Sequence, residues 1–370
     1  MTAKLLFLFG TLRYPALLEA VIGDASHVTS EPASARDFAV RSVAEGPFPA
    51  IVRESGALAQ GVLVQGLTDK DIGHLDYYES AFGYTRQPVE LTDGTHTLAY
   101  IPEPGLWTTS GPWSLEAWVR DWGPLSVLAA REVMGYQGDR PPQEIAAIFP
   151  MIRARAWSRL NAARSRHGAS TLHGAVDVQR WHRAYAQYFA LDEYELRHER
   201  FDGSMTETVR RAVFLSPDAA LVLPYDPRRD RVMVVEQMRM GPLARGDDTM
   251  WQLEPIAGRL DPGEAPEAAA RREALEETGL MLGALHPVAE TYCSPGNSSE
   301  FFYCYVGIAE LPDGVAGVGG VASEHEDIRA HLLSFDALMT LCDDRRAANA
   351  PLVLSAYWLS RHRERLRAAS

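Results

Sequence analysis

The chain has 370 residues, 46% of them hydrophobic and 23% charged, enough to bury two ordinary cores. Its formal net charge of −13 excludes broad binding to nucleic acid or to an anionic membrane surface. The cysteines Cys293, Cys304 and Cys342 are odd in number and widely spaced, so they form neither a disulfide framework nor a metal knuckle and read as reduced core thiols of a cytoplasmic protein.

At the amino end, Lys4 followed by LLFLF is too short for a signal-peptide core or a membrane span, and it reads as a buried strand delivering a tight Gly turn in FGTLR. EGPFPAIV and GVLVQGL continue as short strands that close on themselves. LDYYESAFGYTR, from Leu75 to Arg86, then sets Glu79 among Tyr77, Tyr78, Phe82 and Tyr84, surroundings that would tune a semi-buried carboxyl for proton transfer. From Trp107 to His167 three helix-like stretches are broken apart by Gly-Pro and Pro-Pro pairs. Five of the eight tryptophans fall there, which points to interdomain packing, and Arg153, Arg155, Arg159, Arg164 and Arg166 read as a solvated linker face. The polar, aperiodic SRHGASTLHG places a boundary near Ser165 to Gly174. The expected organisation is a first domain over 1–110, a helical connector over 111–170 and a second domain over 171–370, α+β in both halves.

In the second half, strands AALVLPYD, RVMVVEQM, PVAETYC and FFYCYVGIA surround a helix predicted over Pro266 to Thr278, with a last helix near Leu352 to Arg367, which together suit a mixed sheet sandwiched by helices. The Pro266–Thr278 segment consists of strong helix formers and ends at Gly279, a usual C-cap. Glu273 and Glu277 are i,i+4 neighbours with Glu276 beside them, so three carboxylates crowd one face. Like charges at that spacing destabilise a helix unless hard divalent cations neutralise them through oxygen ligands. Further on, GVAGVGG from Gly314 to Gly320 reads as a flexible stretch that lets the following acidic loop close over a substrate.

Gly258 to Leu280, GRLDPGEAPEAAARREALEETGL, fills every fixed position of the Nudix hydrolase pattern, and this half is similar to that family. With VRRAVF, EQMR, WQLEPIAG and SPGNSSE in order, the segment from about Tyr185 to near Trp358 resembles bacterial ADP-ribose pyrophosphatases. The resemblance implies an α/β/α sandwich that hydrolyses ADP-ribose to AMP and ribose 5-phosphate with Mg²⁺, Mn²⁺ serving as substitute. It implies Glu273, Glu277 and the Ala257 carbonyl as metal ligands, Glu276 as ligand of another metal, Glu324 as general base, and Glu326 as a supporting carboxylate or ligand. Arg211 and Arg239 would contact the pyrophosphate, and Glu300 would order the ligand. Tyr188 would stack on adenine in the partner subunit, which makes a homodimer through this domain, although Tyr185, Tyr188 and Phe189 also suit strand-core aromatics. The same box serves GDP-mannose or other nucleotide-sugar pyrophosphatases. A non-catalytic ADP-ribose sensor is the reading from another class, and intact Glu273, Glu276, Glu277 and Glu324 argue against it.

The first 110 residues resemble the gamma-glutamylcyclotransferase-like fold, a small barrel with helices. That resemblance implies that the backbone of Gly10, Thr11 and Leu12 holds a substrate carboxylate. Glu79 would take a proton from the amine that attacks the gamma carbonyl, leaving 5-oxoproline. Phe9 stands where the family usually has Tyr, so the half is either a cyclotransferase or an accessory domain. The two-domain order also resembles bacterial Nudix fusions associated with tellurite resistance.

Overall fold

The computed structural model describes residues 4–164, 174–320 and 326–369, in two compact units, Met1–His167 and Gly168–Ser370. In the first unit the apolar amino-terminal run is strand β1 (Lys4–Leu8), followed by a 3-10 turn over Thr11–Arg13 and helix α1 (Pro15–Ile22). Then come β2 (Thr29–Val43), β3 (Pro49–Leu67), α2 (Asp69–Ser80), β4 (Tyr84–Glu90), β5 (His96–Pro102), β6 (Thr109–Pro112), α3 (Leu115–Met134) and α4 (Pro142–Arg164). The sheet order is β4-β5-β1-β3-β2-β6.

Two of these strands are not short. β2 and β3 have 15 and 19 residues and form one bent hairpin whose register shifts between Arg36 and Phe38. A bulge of this kind bends a strand and lets a sheet curl. Ala35 of β2 thereby bridges to Leu91, just past β4, and the Thr92 amide donates to the Ser34 carbonyl at 2.9 Å, closing the small barrel.

α3 and α4 pack on each other and on α1 and α2. The ring contacts of the five clustered tryptophans lie inside this unit. Trp107 meets Phe48, Trp113 and Trp118 meet each other, Trp118 meets Tyr14, and Arg153 and Arg164 lie over Trp122 and Trp157. The arginine run is also not one solvated face. Arg155 is buried and its Nε donates to Glu132 Oε1 at 3.1 Å, because the α3–α4 contact needs its buried carboxylate paired. Arg166 lies outside the described residues.

The second unit opens with an antiparallel sheet of β7 (Val176–Ala186), β8 (Ala190–His198) and β9 (Val209–Leu215). β10 (Ala219–Asp226), β11 (Arg231–Met238), α5 (Met240–Arg245), β12 (Trp251–Glu254), β13 (Ile256–Arg259), α6 (Pro266–Thr278), β14 (Leu285–Tyr292), β15 (Phe301–Ile308), β16 (Val318–Gly319), β17 (Ile328–Ser334), α7 (Phe335–Asp343) and α8 (Ala350–Ala368) follow. Their main path is β14-β15-β10-β11-β17-β16, with β12 on β11 and β13 on β10. The β10–β15 pair is parallel, so the sheet is mixed.

Alternation along β11 explains the sandwich. Val232 and Val234 pack with Leu338, Leu352 and Leu359 of α7 and α8, whereas Met233 turns to the other face with Leu280, just past α6. The Gly314–Gly320 stretch is held more firmly than its composition predicts, since Val318 and Gly319 pair with β17 and the Ala330 amide donates to the Gly317 carbonyl at 2.8 Å. Among the described residues no helix is long and apolar enough to cross a membrane.

Candidate active site

α6 spans Pro266–Thr278, with Pro at its first turn and Gly279 in the left-handed conformation at φ 70°, as the sequence predicts. It packs on β10 and β13. This contact explains the first glycine of the motif: a Cβ on Gly258 would fall 1.8 Å from Glu273 Oε1, so only glycine lets that carboxylate lie on β13. Ala257, paired with Leu221 of β10, is the residue before it.

The three carboxylates of α6 are not equivalent. Glu277 is buried, with 5% of its surface exposed, and its Oε2 has no hydrogen-bond partner among the described residues. Burial first, and then the charges of Glu273 and Glu326, push its carboxyl up to about 9, with Arg239 opposing. Glu273 is raised by burial too, against the pull of Arg272. Arg272 Nη1 donates to Glu273 Oε1 at 2.6 Å and to Glu276 Oε2 at 3.0 Å, while its other edge donates to both oxygens of Glu264 at 2.9 Å. With Glu273 and Glu276 drawn to this guanidinium, no three Asp, Glu, His or Cys side chains among the described residues already form a ligand cluster. The donor set nonetheless fits a hard divalent cation: carboxylate oxygens, one of them buried with no hydrogen-bond partner among the described residues, where burial and the neighbouring Glu273 and Glu326 charges outweigh the pull of Arg239.

Arg239 reaches the same region from the residue preceding α5. Its Nε lies 3.1 and 3.0 Å from the two oxygens of Glu254, and its Nη2 donates to Oε2 at 2.7 Å. Burial alone would lower its pKa, but the Glu254 hydrogen bonds, aided by the Glu254, Glu277 and Glu326 charges, raise it. Glu326 precedes β17 and acts electrostatically on both Glu273 and Glu277. Glu324 lies outside the described residues.

The remaining candidates are more dispersed. Tyr188 is not a strand-core aromatic: it sits in the turn between β7 and β8, 51% exposed, because the antiparallel hairpin reverses there and turns its ring outward. Arg259 of β13 lies 4.7 Å above that ring, and its carbonyl accepts from Arg272 at 3.0 Å, which ties Tyr188 to the start of the box. Tyr185 is 55% exposed as well. Arg211 is exposed on β9, with Nη1 donating to the Arg210 carbonyl at 2.9 Å, and no described contact brings it to the carboxylates. Glu300, just before β15, accepts from Ser216 Oγ at 3.1 Å and belongs to the loop that meets β9, where the Phe214 amide donates to Asn297 O at 2.8 Å. Glu254 and Arg272 are the site residues that sequence reasoning passed over. Glu254 lies unmarked in WQLEPIAG, and Arg272 is one of the box letters to which the motif assigns no role here.

In the first unit, Glu79 is half-buried on α2, and burial pushes its carboxyl up to about 8. Burial, and after it the Glu79 charge, raises Tyr84, whose hydroxyl donates to the Pro49 carbonyl at 3.0 Å. Gly10 approaches the same proline, since a Cβ there would lie 3.0 Å from Pro49 Cγ. The Gly10 turn and Tyr84 thus meet at Pro49, and Glu79 acts on Tyr84 through its charge. Tyr77 points elsewhere, donating to the Arg140 carbonyl at 3.0 Å.

Comparison with known proteins agrees with this division. The family described as NUDIX domain matches residues 215–354, and that described as gamma-glutamyl cyclotransferase, AIG2-like, matches residues 6–115. A protein of Escherichia coli named ADP-ribose pyrophosphatase is 38% identical over 183 residues, 50% of this chain and 87% of that protein. One of the same name from Haemophilus influenzae is 30% identical, covering 47% and 81%. A GDP-mannose pyrophosphatase of Yersinia pestis is 32% identical, covering 46% and 84%. A solved structure described as an ADP compounds hydrolase covers 52% of this chain and 97% of its own, with a TM-score of 0.39 and 21% identity. With a complete box on α6 and relatives matched over more than four fifths of their length, the chain belongs to the Nudix hydrolases, and its first unit is an AIG2-like gamma-glutamyl cyclotransferase domain.

Proposed function

We propose that the second unit hydrolyses the pyrophosphate of ADP-ribose to AMP and ribose 5-phosphate with Mg²⁺, which Mn²⁺ can replace. The observation that carries this reading is the buried Glu277 Oε2, without a hydrogen-bond partner among the described residues and under the charges of Glu273 and Glu326, in a chain of which half is 38% identical to proteins named ADP-ribose pyrophosphatase. When bound, Mg²⁺ supplies the charge that polarises phosphoryl oxygens and makes water a better nucleophile. Glu273, Glu277 and the Ala257 carbonyl would hold it, with Glu276 and Glu326 for another ion. Arg239 and Arg211 bind the phosphates, Tyr188 stacks on adenine, and Glu300 orders the ligand. Glu324, assigned on sequence alone, takes the proton of the attacking water as its oxygen bonds to one phosphorus and the bridging oxygen leaves with the other. The relatives named GDP-mannose pyrophosphatase favour a second reading, in which the sugar nucleotide is GDP-mannose. Chromatography of the products after incubation with each compound distinguishes AMP from GMP release.

We further propose that two copies associate through this unit. The exposed Val176, Val178, Trp181, Tyr185 and Tyr188 of β7 and its turn supply the apolar surface that supports it. Sedimentation of the full chain at micromolar concentration is expected to give a dimer, and a monomer with full turnover would contradict a shared adenine site.

For the first unit we propose a metal-independent release of 5-oxoproline from a gamma-glutamyl amine, with Glu79 as base. The rate should rise with pH through about 8, where Glu79 ionises, and Glu79→Gln should remove it. Because the folded value lies above the ordinary 4.5, the protonated group favours the fold at low pH, and that contribution is lost as pH rises from 4.5 to about 8. Denaturation of Glu79→Gln across that range should lack this loss. Activity that survives the substitution, or that vanishes with chelator, would refute the mechanism.

A further inference from the structure

β12 pairs with β11 so that Glu254 stands opposite Val235. Val235 is two residues from Met233 and shares its face, the side of the sheet that carries α6. Glu254 is thus placed at the edge of the Glu273–Glu277 region, close enough for its charge to act on Glu277. A carboxylate buried beside others of its kind is costly unless a cation pairs with it, and an apolar residue would serve packing better. Here the cation is Arg239, gripped along one edge through Nε and Nη2. Its Nη1 makes no hydrogen bond among the described residues. The gripped end is buried, with the Glu254 side chain 9% exposed, whereas the Arg239 side chain is 42% exposed.

We infer that Glu254 is a positioning residue of this site: it clamps one edge of the Arg239 guanidinium so that the free Nη1 end meets a non-bridging oxygen of the nucleoside diphosphate. This rests on the proposed pyrophosphatase reaction. A guanidinium suits the task because its planar fork offers one edge to a carboxylate and keeps further donors for a phosphate, which an ammonium cannot do in a fixed plane. The pre-set orientation spares the substrate the work of ordering a long side chain.

The test is steady-state kinetics of the full chain with ADP-ribose, for wild type, Glu254→Gln, Arg239→Gln and the double variant, each with a Mg²⁺ titration. Glu254→Gln is expected to raise KM about tenfold or more, the size of a lost supporting partner, with a smaller fall in kcat and an unchanged Mg²⁺ half-saturation. The double variant should be no worse than Arg239→Gln, since both changes act through one guanidinium. Losses that multiply in the double variant would overturn the inference. So would a shifted Mg²⁺ half-saturation with KM unmoved, which would make Glu254 a metal ligand. If Glu254→Gln fails to fold by circular dichroism while Arg239→Gln folds, the pair is structural and the inference falls. An active wild type with an unaffected Glu254→Gln sinks this inference alone, whereas a wild type inactive on every nucleoside diphosphate sugar sinks the reaction it rests on as well.

Discussion

Replacing Glu277 by Gln is expected to lower Mg²⁺-dependent release of AMP from ADP-ribose by on the order of a thousandfold, the kinetic equivalent of several kcal/mol of lost charge stabilisation. The amide keeps the volume and one oxygen of the side chain but loses the negative charge, so it remains a poor ligand for a hard cation. The fold should survive, because Glu277 Oε2 has no hydrogen-bond partner among the described residues whose loss could unsettle α6, and burial already disfavours its charge. Turnover together with thermal denaturation in chelator checks both halves. Undiminished turnover would remove Glu277 from the metal assignment, and loss of folding would show its role to be structural.

Glu324→Gln should reduce kcat by at least about a hundredfold with little change in KM, as befits a lost general base. Glu326→Gln should reduce activity less. Glu326 acts on Glu273 and Glu277 through space, so its charge belongs with the proposed cation ligands. Parallel kinetics of the two variants decide the register of the loop. If Glu326→Gln is crippled and Glu324→Gln is not, the base moves by two residues.

Local pattern carried much of this protein. The box helix runs from Pro266 to Thr278 and stops at Gly279 as its composition and cap predict, and β10 and β11 follow their apolar runs. What local pattern could not carry was pairing across the chain. Glu254 becomes a site residue only when β12 lies on β11, and Arg272, already beside Glu273 and Glu276 on α6, gains Glu264 only when the turn before the helix folds back. The β7–β9 sheet escaped for a related reason. β7 is exposed on almost every residue, so it lacks the alternation that marks a half-buried strand, and Tyr188 read either as an adenine-stacking residue or as a strand-core aromatic. In the first unit the motif located Glu79, but its environment depended on folding. Tyr84 and Pro49 link it to the Gly10 turn, whereas neighbouring Tyr77 turns toward Arg140.

The Glu277 carboxylate region is proposed as a cation-dependent pyrophosphatase centre for ADP-ribose. It is tested most directly by incubating the purified chain with ADP-ribose and, separately, GDP-mannose, with Mg²⁺ and with excess chelator, and resolving the products. Equal amounts of AMP and ribose 5-phosphate are expected from ADP-ribose, with a higher kcat/KM than for GDP-mannose and no turnover in chelator. Hydrolysis that continues in chelator, or a Mg²⁺-loaded chain that leaves ADP-ribose intact, would contradict it.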